Sequence, residues 1–138
     1  METNPDSIFP LRMIRGIKND EWANDEPPYM SAFFFDKNVR KDGRREMSIY
    51  WYDCEDALDL LKSQIWKGRP LFYGGYAIIM RSVIDEMKNE FDVSYERRPT
   101  KQNKFHGNIL INCVNPIDAR RFAAKLAMSC DIKCLSAS

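Results

Sequence analysis

The sequence predicts an α+β fold: a mostly antiparallel sheet of about five or six strands with three helices packed on one face. Three observations carry that prediction. Asp42-Gly43, a hairpin-turn signal because glycine accepts a positive φ, separates two apolar runs that are close in sequence. Three stretches repeat apolar residues at the i, i+3, i+4 spacing of a single helix face. The other apolar runs are short and interspersed with those stretches, the pattern of helices laid against an antiparallel sheet.

The elements follow in order. Ile8 to Ile17 alternates partly and reads as a first strand. Asn19 to Tyr29, with its acids and the Pro27-Pro28 pair, reads as an extended loop, since consecutive prolines forbid helix. Met30 to Phe35 is expected to be a strand buried on both faces, and Met47 to Tyr52 its return beyond the Asp42-Gly43 turn. Asp53 is placed to cap a helix through Ile65 with the stripe Ala57, Leu58, Leu61 and Ile65, ended by Gly68-Arg69-Pro70. Leu71 to Met80 reads as a strand whose Gly74-Gly75 pair marks a bulge or a close backbone approach. Ser82 and Asp85 resemble a capping box for a short helix burying Val83, Ile84, Met87 and Phe91. Val93 to Tyr95 and Phe105 to Cys113 read as strands around the polar loop 97–104. Asn115-Pro116 opens a last helix with the stripe Ala119, Phe122, Ala123, Leu126 and Cys130.

The 138 residues make one domain, expected over 8–134 between a frayed start at 1–7 and a loose tail at 135–138. Twenty-one Lys and Arg against 20 Asp and Glu leave a net charge of +1, which argues against a surface built throughout for nucleic acid or anionic lipid. With 44% hydrophobic and 30% charged residues, disorder is not expected. The longest clean apolar stretch, Tyr76 to Met80, has a strand's length, so no membrane span is expected. Met1 to Ser7 lacks the basic start and apolar core of a signal peptide, so Cys54, Cys113, Cys130 and Cys134 are read as reduced thiols and the expected location is cytoplasmic.

Several of these segments resemble a group of small, uncharacterised bacterial proteins. The matching pieces are Met30-Ser31-Ala32-Phe33, Met47-Ser48-Ile49-Tyr50, Gly75-Tyr76-Ala77-Ile78-Ile79 and Arg98 to Ile109, with the distinctive Asn103-x-x-His106-(small)-x-(Ile or Val) segment. Lys104 stands where that group usually has proline. The group has no established activity, so the resemblance, spanning roughly residues 10 to 128, implies the fold and an accessory role rather than a reaction.

Candidate chemistry centres on His106, at the mouth of a strand after a basic loop, where an imidazole titrating near neutrality serves as acid, base or ligand, or else ties the loop down. Arg97, Arg98, Lys101 and Lys104 form a basic cluster beside it, with Arg40, Lys41, Arg44 and Arg45 around the earlier turn; together they are candidates for binding phosphate or another ligand, or are simply solvated. Cys113, Cys130, Cys134 and His106 lack the spacings that mark zinc, so no metal and no cofactor are expected. Asp53, Glu55, Asp56 and Asp59 crowd a helix start, where the dipole accounts for them. No P-loop, G-x-S-x-G or G-x-G-x-x-G is present. The leading expectation is therefore a non-catalytic interaction protein with a protein partner, anchored through Trp22, Trp51, Trp66 and tyrosines. The alternatives are a nucleotide- or nucleic-acid-phosphate-binding module around His106, and an enzyme using His106 as acid or base.

Overall fold

A computed structural model describes residues 9–113 and 115–134, so the expected frayed start and loose tail lie outside the described residues. The strands are β1 (Arg12–Ile17), β2 (Arg45–Trp51), β3 (Ile65–Trp66), β4 (Arg69–Pro70), β5 (Gly75–Met80), β6 (Val93–Arg97), β7 (His106–Ile111) and β8 (Asp131–Lys133). The helices are α1 (Glu55–Ser63), α2 (Arg81–Met87) and α3 (Pro116–Ser129). One antiparallel six-stranded sheet has the order β6-β7-β2-β1-β5-β8, and β3-β4 is a separate small hairpin. Among the described residues no helix is long and apolar enough to cross a membrane.

Strand alternation sorts side chains onto two faces. Met13, Met47, Ile49, Trp51, Ile79, Val93, Tyr95, Ile109 and Ile111 form one, closed by Ile84 and Met87 of α2 and by Phe122, Ala123 and Leu126 of α3. Ile14, Tyr76 and Phe105 lie on the other, closed by Ala57, Leu58 and Leu61 of α1. The expectation of three helices on one face is corrected here: α2 and α3 share a face and α1 packs on the other. Ala57, Leu58 and Leu61 are buried as expected, whereas Ile65 lies beyond the helix in β3 and is exposed; a stripe says which side of a helix is buried and not which side of the sheet receives it.

Other departures are local. Met30–Phe33 is a short 3-10 helix rather than a strand. Tyr29 before it is left-handed (φ 66°), and the Asp25 carboxylate accepts the Ser31 amide, so a helical turn stands where the apolar run predicts a strand. Asp53 does not cap α1; Cys54 holds that position without a side-chain bond. Similarly, α2 begins at Arg81 with no side-chain cap from Ser82, while Asp85 accepts the Tyr95 hydroxyl at 2.7 Å. The strand expected from Leu71 starts only at Gly75, whose φ of 103° and close approach to the Lys133 carbonyl (2.1 Å from an added Cβ) seat the unforeseen edge strand β8. Asn115 caps α3 as read, its side chain accepting the Ile117 amide with Pro116 in the first turn.

One irregularity positions the candidate site. β1 pairs with β5 along its whole length, and β2 pairs with β7 from Arg45 to Tyr50. β1 and β2 pair only at Met13↔Trp51 and Ile14↔Tyr50. Beyond that point the two central strands part, and the sheet opens along its middle.

Candidate functional site

The loop before β7 is closed by its own polar groups. The Asn103 side chain accepts the Phe105 amide (2.9 Å), Thr100 and Asn103 exchange backbone hydrogen bonds, and the His106 amide donates to the Asn103 carbonyl (3.2 Å). Asn103-x-x-His106 is therefore a turn device. The Arg98 amide donates to the His106 carbonyl and the His106 Nδ1–H donates to the Arg98 carbonyl, each at 2.8 Å. Since a carbonyl only accepts, Nδ1 carries the proton and Nε2 is the free acceptor. The Ser48 hydroxyl lies 3.4 Å from it, a long hydrogen bond in which the hydroxyl donates. The pair has the parts of a base and its proton donor, but a carbonyl, not a carboxylate, orients the imidazole.

The basic cluster does not converge. Arg97 lies on the opposite face from His106 and makes a two-pronged bond to Asp53 (2.8 and 3.0 Å), its guanidinium 5.6 Å from the centre of the Trp51 ring. That hydrogen-bonded pairing raises the Arg97 pKa against the effect of burial, and it is what occupies the carboxylate expected to cap α1. Arg98 stands 3.7 Å from Glu96. The Lys104 ammonium lies 5.1 Å from the Phe105 ring centre, and exposed Lys101 makes no ion pair among the described residues. Of the residues of this loop only Arg98 and His106 are brought together, and Arg98 shares Glu96 with Arg40 of the earlier turn.

Behind His106 the same sheet face carries a polar cluster that the sequence reading missed. Asn108, 1% exposed, donates to Glu96 (2.8 Å) and Glu46 (3.4 Å), and Arg40 reaches over from the turn to Glu96 (2.7 Å). Burial pushes the Glu96 carboxyl up, but the bonds from Asn108 and Arg40, with the charges of Arg40 and Arg98, outweigh it and hold it below the usual carboxylate range.

The parted strands enclose a cleft of about 360 Å³ lined by Arg15, Lys18, Trp22, Phe34, Ser48, Tyr50 and Phe72, among others. Arg15 enters the gap and donates to the Ser48 carbonyl of β2 and to the Ala32 carbonyl of the 3-10 turn. Burial lowers its pKa to about 10. Gly16 has no Cβ to obstruct the Phe72 ring, which lies over it; a Cβ there would meet the ring at 2.1 Å. Burial likewise raises the Tyr50 pKa. Neither Arg15 nor Tyr50 stood out in sequence, because alternation marks a strand residue as inward or outward and not as facing a split in the sheet.

A second, shallower groove of about 610 Å³ continues from Lys18 and Trp22 to Trp66, Arg69, Pro70 and Tyr73. The β3–β4 hairpin builds it: Lys67 (φ 52°) and Gly68 (φ 78°) both take the left-handed backbone of a tight two-residue turn. Of the expected anchors, Trp51 is fully buried in the core and unavailable to a partner, Trp22 is partly buried, and Trp66 is 59% exposed.

All four cysteines are free thiols, Cys54 and Cys134 exposed and the other two partly buried. Among the described residues no three His, Cys, Asp or Glu side chains gather as metal ligands. Burial, followed by the charge of Asp131, pushes the Cys130 thiol up to about 12. At about pH 8 a thiolate-selective reagent is expected to label Cys54 and Cys134 within minutes and Cys130 only on unfolding. Site-resolved mass spectrometry reads this, and early labelling of Cys130 would contradict its burial. No protein-family model, curated protein or solved structure matches the chain.

Proposed function

We propose that this protein is a non-catalytic interaction module, of cytoplasmic location, whose partner is a protein presenting an acidic segment with an apolar side chain. The observation that carries the reading is the β3–β4 hairpin, which leaves Trp66 (59% exposed) in water on the groove that Tyr73 also lines. Large apolar side chains grouped this way, next to a ready groove, mark contact surfaces more often than solvated ones. Their charged neighbours choose the partner. Lys67 stands 5.7 Å from the Trp66 ring centre and Arg69 4.6 Å from that of Tyr73, while Lys18 lines the same groove and no acid does. Carboxylates on the partner complement this sign and speed encounter.

The test compares captures from native-host extract by the wild type, Trp66→Ala and Arg69→Glu. Both positions are exposed, so melting temperatures are expected to stay within a degree or two of wild type. A protein held by the wild type is expected to bind Trp66→Ala about 30-fold more weakly, the ordinary loss at a tryptophan anchor, and Arg69→Glu more weakly at low salt. Identical captures by all three would overturn the reading. So would single-stranded oligonucleotide binding that Trp66→Ala abolishes, since cations interleaved with aromatics also serve that ligand.

A further inference from the structure

We propose that the cleft between β1 and β2 is a binding site for a small carboxylate with a flat apolar body, with Arg15 as the anion-binding residue. The argument starts from a missing partner. Arg15 sinks its guanidinium between two strands, spending Nε on Ala32 O and Nη1 on Ser48 O. Both acceptors are neutral, and among the described residues no carboxylate comes within ion-pair distance of it. The guanidinium is partly buried and lines the cleft, where a charge taken partly out of water gains from a counter-charge. The two acids that line the cleft are engaged otherwise: Glu46 faces Arg40 and Asn108, and an Asp36 oxygen accepts the Asn38 amide. The Nη2 amino group makes no hydrogen bond among the described residues, and neither does the Tyr50 hydroxyl, although both residues line the cavity.

The walls specify the rest of the ligand. Phe72 stands edge-on to Tyr50 with ring centres 6.4 Å apart, and Phe34 and Trp22 complete an aromatic lining. The volume lies in the range of small-molecule sites. Aromatic walls around Arg15, with Lys18 also in the lining, suit a planar carboxylate, whose oxygens take Nη2 and the Tyr50 hydroxyl while its body lies against Phe72. This site stands apart from the protein-binding reading, although the two hollows share Lys18, Trp22 and Leu71.

The probes are benzoate and inorganic phosphate, titrated into the isotope-labelled full chain and followed by amide chemical shifts. Benzoate is expected to move the amides of Arg15, Ser48 and Tyr50, and to bind Arg15→Gln at least about tenfold more weakly, since a charge-assisted hydrogen bond is lost. Trp66→Ala is expected to bind benzoate as the wild type does, which separates this site from the groove. If Arg15→Gln does not fold, Tyr50→Phe decides in its place, with a loss of about threefold or more. No shift at these amides, equal affinity in Arg15→Gln, unchanged affinity in Tyr50→Phe where that variant decides, or phosphate bound as tightly as benzoate would each overturn the assignment.

Discussion

Gly107→Ala is expected to destabilise the protein by about 3 kcal/mol, at the upper end of what overpacking one methyl costs, and to lower Tm by roughly 10 °C. The added Cβ would sit 2.2 Å from Trp51 Nε1 and 2.5 Å from the Glu96 carbonyl oxygen. Neither neighbour yields easily. Trp51 is fully buried, stacked on Phe9 with ring centres 4.6 Å apart and edge-on to Tyr95 at 5.7 Å, and its Nε1–H donates to that Glu96 carbonyl at 3.2 Å. The carbonyl belongs to β6, which pairs with β7 from Arg97↔Gly107 to Val93↔Ile111, so shifting it strains a ladder. The consequence reaches the polar face, because Gly107 stands between His106 and Asn108 and the close approach of the indole sets how both are presented. Gly43→Ala is the contrasting case: its φ of 85° is unfavourable to alanine, as the backbone of Gly107 is not, while nothing lies within 4 Å of the added carbon. That variant is expected to lose only about 1–2 kcal/mol of backbone strain. Urea denaturation of both separates packing from strain, and equal losses would show that the indole makes room.

What was legible in the sequence was what neighbouring residues decide. The Asn115-Pro116 start of α3 is local cap chemistry and is found where read. The Gly75 backbone approach and the antiparallel sheet with three helices are likewise in place. Long-range competition was not legible. Asp53 has the position of a cap, but Arg97, 44 residues on, takes its carboxylate. Lys67-Gly68 lacks the Asn-Gly or Asp-Gly signature of a tight hairpin, so nothing local marks the strand that holds the most exposed tryptophan, Trp66. Trp51 is fully buried and no anchor, because residue type alone does not report depth. Of the candidate site, His106 and its loop were visible as a turn feeding a strand. Arg15 and Tyr50 were not, since their significance lies in two strands that pair for two residues and then separate.

Asn108→Asp is expected to cost more than any surface change, about 3–5 kcal/mol near pH 7, the penalty of a buried charge left without compensation. Asn108 is the only buried polar side chain among the described residues, and its Nδ2 is a donor held between two acceptors, Glu96 and Glu46. The replacement keeps the shape and turns that donor into a third carboxylate. Arg40 already serves both glutamates, at 2.7 and 3.6 Å, so it cannot offset the new charge in full. The pH dependence separates this from a mere packing defect. In the wild type the Glu96 carboxyl is held low, so its contribution is present above the unfolded value of about 4.3 and is lost as pH falls through the folded one. The introduced carboxyl, beside two like charges, has a folded pKa above its unfolded value of about 3.9. Its penalty is full at high pH and shrinks as pH falls through that raised value, when the protonated group again donates to Glu96. The difference in Tm between wild type and variant should therefore narrow from pH 7 towards pH 5, while Asn108→Leu, which adds no titrating group, keeps a nearly constant deficit over the same window. A difference for Asn108→Asp that stays flat would mean that water reaches the cluster and that Arg40 does not seal it.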